Sequence, residues 1–159
     1  MKKIFLIPAS FLLLFFTGCP DLYRGSDVNW ITENIETLSV TLSANSIQKK
    51  HSFTVTLTGT VDSKYKNCKI FYELYKDIDS EFKQIQMIYK ADGDQDWNRG
   101  WSSEQSVAAE EFNSINKTVT VLIPAEGLYK LHFYFTADNS EEENCVGEFS
   151  DTRAIIVES

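Results

Sequence analysis

Apolar and polar residues alternate with a period of two along much of this chain, most clearly in two stretches. In "SFTVTLTGTV" Phe53, Val55, Leu57, Gly59 and Val61 fall on one side, and Ser52, Thr54, Thr56, Thr58 and Thr60 on the other. In "LYKLHFYFTA" the inward set is Tyr129, Leu131, Phe133, Phe135 and Ala137, with Lys130, His132, Tyr134 and Thr136 outward. Such alternation marks strands with one face on a core and one in water. Weaker versions cover residues 34–42, 68–76, 81–90, 115–123 and 153–158. With 52–61 and 128–137 these make seven strands, and no stretch shows a long helical period. The pattern predicts an all-β, seven-stranded antiparallel sandwich built as one domain over residues 34–159.

The N-terminus follows different rules. Lys2 and Lys3 precede a nearly unbroken apolar run from Ile4 to Phe16, then the small residues Thr17 and Gly18 and then Cys19. The run is shorter than the roughly 20 residues a membrane-spanning helix needs, and it suits the core of a secretory signal. Phe16-Thr17-Gly18-Cys19 resembles the lipobox of bacterial lipoproteins, with Phe where Leu is usual. The resemblance implies cleavage after residue 18, lipid attachment at Cys19, a tether over 19–33 and membrane association through the acyl chains alone. Two or more chains suffice for stable anchoring, each buried methylene contributing about 0.8 kcal/mol. An ordinary signal with an incidental cysteine is the plainer alternative. Pro20 stands where an aspartate often signals inner-membrane retention, which favours the outer membrane or cell surface within the envelope.

Charge narrows the partners. The chain carries a formal net charge of −8, and removing residues 1–18 takes two lysines and no acid, leaving −10. Nucleic acid and anionic headgroups are both repelled by such a body.

"VTVLIPAEGLYKLHFYFTADN" resembles the turn and following strand of immunoglobulin-like, fibronectin type III-like and PKD-like domains. Gly127 suits the turn, and Tyr129 occupies the position of the tyrosine corner, whose hydroxyl ties the turn backbone. Leu131 stands where antibody domains have their second inter-sheet cysteine, so the antibody disulfide is not expected. The resemblance implies a scaffold without assigning an activity. In that arrangement Cys68, at the start of the 68–76 strand, and Cys145, in the connection 138–152, share a pole. Export to an oxidising compartment then leads to the expectation of a Cys68–Cys145 disulfide, with two buried free thiols as the alternative.

Two long connections gather at the same pole. Residues 91–114 are long for a link between neighbouring strands, and long ordered loops are often functional. Within them Asp92, Asp94 and Asp96 alternate, as carboxylates that converge on calcium can. The EF-hand pattern fails beyond that point, since Trp97 replaces the turn glycine and Ser103 stands at the twelfth position, so a solvated turn is the competing reading. Trp97, Arg99 and Trp101 are residue types enriched at binding hot spots, and such tryptophans also serve to cover a core. Glu141, Glu142, Glu143 and Glu148 make the second connection acidic, as solvated loops and docking surfaces for basic partners both are.

No phosphate-binding glycine loop, nucleophile elbow, H-E-x-x-H or C-x-x-C occurs. His51 falls in the turn before the 52–61 strand and His132 faces outward from the middle of the 128–137 strand, on opposite sheets. The expectation is a non-catalytic envelope lipoprotein that binds a protein or glycan ligand with its loops, or else a structural accessory of an envelope complex, with no cofactor beyond the calcium candidate.

Overall fold

The structure is a computed structural model that describes residues 30–159; the expected signal segment, Cys19 and the expected tether as far as residue 29 lie outside the described residues. Among the described residues twelve strands form two sheets. In chain order they are β1 (Ile31–Asn34), β2 (Leu38–Leu42), β3 (Ser46–Gln48), β4 (Ser52–Gly59), β5 (Tyr65–Ile78), β6 (Glu81–Ile85), β7 (Met87–Ala91), β8 (Asn98–Gly100), β9 (Ser102–Ser106), β10 (Ile115–Leu122), β11 (Gly127–Asn139) and β12 (Cys145–Glu158). One 3-10 turn, Ala109–Glu111, precedes β10. The larger sheet runs β1-β12-β11-β5-β6, with β3 also on β12 and β9 also on β5; the smaller runs β2-β4-β10-β7-β8. No helix among the described residues is long and apolar enough to cross a membrane.

The alternation read from the sequence holds where it is clearest. Phe53, Val55 and Leu57 of β4 are buried, as are Tyr129, Leu131, Phe133, Phe135 and Ala137 of β11. They meet Ile70, Tyr72 and Leu74 from β5 and Val119 and Val121 from β10 in a single core. Tyr72 and Phe133, paired across β5 and β11, stack at 6.0 Å between centroids.

The count of seven strands is corrected to twelve, and pure antiparallel pairing is corrected too, since β1 and β3 both run parallel to β12. Two expected strands each turn out to be a pair lying in different sheets. Residues 34–42 split between the end of β1 and β2, and residues 81–90 split between β6 and β7. The inner faces of both sheets look into the same core. A chain that crosses from one sheet to the other therefore keeps its in–out alternation, as Ile85, Met87 and Tyr89 do on either side of Gln86. Gly59 marks the β2–β4 junction: its φ is +143°, and a Cβ there would lie 2.2 Å from the Thr37 carbonyl oxygen.

The turn before β11 is as the sequence indicates. Gly127 has φ +140°, Tyr129 is buried, and its hydroxyl donates to the Ala125 carbonyl at 2.8 Å. Tyr129→Phe should keep the ring packing and lose this bond, costing about 1 kcal/mol. A urea denaturation midpoint unchanged from the parent protein would show that the hydroxyl contributes nothing to the corner.

Candidate functional site

One pole of the sandwich collects the β4–β5 turn, the 3-10 turn, the β11–β12 turn and the start of β1. Ser140 N donates to the Lys64 carbonyl at 2.7 Å and Ile31 N to the Asn144 carbonyl at 2.9 Å, while Val61 N donates to the Phe112 carbonyl at 2.9 Å. Glu33, on β1, accepts from the Lys64 ammonium at 2.8 Å and the Tyr65 hydroxyl at 2.5 Å, tying β1 to the start of β5. The Lys64 hydrogen bond leads in holding the Glu33 carboxyl below the ordinary carboxylate range. Burial, helped by Glu33, pushes the Tyr65 hydroxyl up to about 12. Beside them a cavity of about 510 Å³ is lined by Trp30, Lys66, Asn139, Glu142 and Cys145 among others.

Cys68 and Cys145 do lie near this pole, but they are free and buried, which corrects the expected disulfide. Cys68 sits on β5 and Cys145 on β12, and β11 runs between those two strands. Neighbouring strands are about 4.8 Å apart, so the two Cα atoms are separated by roughly 10 Å or more. A disulfide needs about 4.4–6.8 Å. The two cysteines share a sheet and an end, but not an edge. Burial first, and then the Asp138 charge, push the Cys68 thiol up to about 11. Cys145 instead accepts a hydrogen bond from the Asn139 amide at 3.6 Å.

The expected 91–114 loop is largely built structure. After β7 the chain forms β8 on the edge of the smaller sheet, crosses at Trp101, and joins the larger sheet as β9 along β5. Asp92 accepts from the Thr118 backbone N–H at 2.8 Å and from the Thr118 hydroxyl. Asp94 accepts from the Ala91 N–H at 2.9 Å and the Asn98 amide at 2.6 Å. The two carboxylates therefore brace different elements, and Asp96 is exposed, so the calcium cage expected of Asp92, Asp94 and Asp96 is not assembled.

Trp97 and Trp101 lie on the outside of this crossing, 45% and 57% exposed. They do not cover the core. Lys90 stands 5.9 Å from the centre of the Trp97 ring, and the Trp101 carbonyl accepts from the Gln84 amide at 3.0 Å. Arg99 lies between them on β8, exposed and paired with Ile88. Of the histidines, His51 sits in the turn before β4, and His132 faces out from β11 with its ring 3.8 Å from Glu73.

Glu33 escaped sequence reasoning because residues up to 33 were assigned to the tether, and Lys64, Tyr65 and Asn139 because they fall in connections between the expected strands. Ile31 and Ile35 bracket the polar run Thr32-Glu33-Asn34, so no alternation marks this strand, and β1 is defined by its parallel pairing with β12.

No family model matches this sequence, and no curated protein matches it. Among solved structures, AvmM, which catalyses macrocyclization in alchivemycin A biosynthesis, aligns with TM-score 0.49 at 8% identity over 79% of this chain and 91% of its own. The human F-spondin reeler domain aligns with TM-score 0.45 at 10% identity, over 86% and 99%. A conjugative transposon lipoprotein from Bacteroides eggerthii aligns with TM-score 0.40 at 7% identity, over 75% and 98%. The class of this protein, a two-sheet β-sandwich, rests on its own strand pairing.

Two outcomes follow from the pole. A thiol reagent added to the folded protein should leave Cys68 and Cys145 unmodified, and after unfolding without reductant should modify both. Unfolded protein in which neither reacts would restore the disulfide. Glu111 supplies the second: it accepts from Lys117 at 2.7 Å and from the Ala108 N–H at 2.9 Å, and the Lys117 bond leads in lowering its carboxyl below the ordinary range. A folded-state value below the unfolded one makes this stabilisation present above the usual carboxylate range and lost as pH falls through it. Glu111→Gln should therefore lower the melting temperature near pH 7 and have little effect near pH 3.

Proposed function

We propose that this chain is a lipid-anchored, non-catalytic binding module of the cell envelope, which presents Trp97, Arg99 and Trp101 to a protein or glycan ligand. The observation that carries the reading is the exposure of both tryptophans at the two ends of β8, the edge strand paired with β7. Large aromatics left in water on an ordered element are costly for folding and useful for recognition, since Trp and Arg dominate binding hot spots. Anchoring through Cys19 follows from the lipobox-like segment, and an outer-membrane or surface position from Pro20.

Trp97→Ala and Trp101→Ala should each shift the urea midpoint by less than the equivalent of about 0.5 kcal/mol, as surface changes do. Sedimentation with purified cell-wall polysaccharide, and protease shaving of intact cells beside a periplasmic control, would then separate glycan binding from binding to an internal partner. Collapse of the fold in both variants would return the tryptophans to a structural role and sink the reading. A chain that stays soluble in detergent-free extracts of cells, with Cys19 unmodified by mass spectrometry, would remove the anchor.

A further inference from the structure

The cavity at the loop pole has a chemically unusual wall. Glu33 from β1, Glu142 from the β11–β12 turn and Cys145 from β12 bring a ligand atom each to within 4.8 Å of one another. Glu142 and Cys145 also line the cavity. We propose that these three side chains form a site for a thiophilic divalent cation of the zinc type, with the cavity leaving room for a fourth ligand from solvent. The inference is independent of the role given to Trp97 and Trp101.

Three features set this group apart from a patch of surface acids. First, the donor set is mixed. A thiolate with two carboxylates selects zinc-like ions over calcium or magnesium, which prefer oxygen alone. A tetrahedral ion with bonds of about 2.0–2.3 Å would hold its ligand atoms roughly 3.3–3.8 Å apart, closer than the 4.8 Å limit within which these three stand.

Second, outer hydrogen bonds hold the side chains of Glu33 and Cys145 and the backbone of Glu142. Lys64 and Tyr65 both hold the same oxygen of Glu33, Oε2, which leaves Oε1 outside these two bonds. The Asn139 amide donates to the Cys145 sulfur, and the same residue's carbonyl oxygen accepts from the Glu141 and Glu142 N–H groups at 2.9 and 3.2 Å. Asn139 thus positions two of the three ligands. Outer hydrogen bonds of this kind orient ligands in established metal sites.

Third, the charges balance. Two carboxylates and a thiolate contribute three negative charges, against two from the cation and one from Lys64. Cys145 is buried, only 2% exposed, with a ligand atom of each carboxylate within 4.8 Å of its sulfur. With a cation the same surroundings become neutral.

The test uses the full chain in detergent, carrying Cys19→Ser so that the exported thiol does not compete. Cobalt(II) reports thiolate ligation by a near-ultraviolet charge-transfer band. The expected result is a band that saturates at one equivalent and is displaced by zinc. Cys145→Ser should abolish the band, Cys68→Ser should leave it, and Glu142→Gln should weaken cobalt affinity by about tenfold or more, in the range that site perturbations produce. Glu142 is exposed, so its variant decides the matter if Cys145→Ser does not fold. Folded protein without the band overturns the proposal, as does a band that survives Cys145→Ser or an affinity unchanged in Glu142→Gln.

Discussion

The inner face of β11 is the surface on which the molecule converges. Its five inward residues, from Tyr129 to Ala137, are all buried, and the strand is paired along both edges, with β5 on one side and β12 on the other. Each large apolar side chain removed from water contributes about 1.5–3 kcal/mol. A run of them on one central strand therefore holds three long strands in register and gives the smaller sheet a floor to pack against. The tyrosine corner sets where that run begins. Once Tyr129 is fixed to Ala125, alternation dictates which way every later residue of β11 points.

The strands with a clean period of two were legible to within a few residues. β4 and β10 are found almost where alternation puts them, and β11 extends two residues beyond the expected end. What alternation could not reveal is the sheet to which a strand belongs. Gln86 separates β6 from β7 and has no turn signature, because the chain changes sheets there without reversing its facing. The early part of β12 was hidden for another reason. Residues 145–152 carry glycine, acids and serine, and their strand character comes from pairing with β11 and not from local propensity.

The candidate sites divide in the same way. Residue type alone left Trp97 and Trp101 undecided between core and surface, and only the path of the chain across the sandwich edge exposes them. The aspartates were spaced as ligands are, but spacing says nothing about competing donors, and the Thr118, Ala91 and Asn98 groups occupy Asp92 and Asp94. Cys68 and Cys145 were placed near the correct pole. Their separation depends on the lateral order β12-β11-β5, which makes an intervening strand unavoidable even when three strands share a sheet.

The parallel pairing of β1 with β12 has a mechanical meaning. β1 enters at the loop pole, where its residues lie beside Cys145 to Glu148, while β12 runs on to the opposite end of the sandwich at Glu158. Tension applied between the N-terminal side and the far end of the domain would pull these two strands along their shared axis. The hydrogen bonds between them would then be loaded together in shear instead of opening one at a time, while the Glu33–Lys64 ion pair holds β1 to the β4–β5 turn. The anchor proposed at Cys19 would thus be joined to the body through the geometry that best resists being drawn apart.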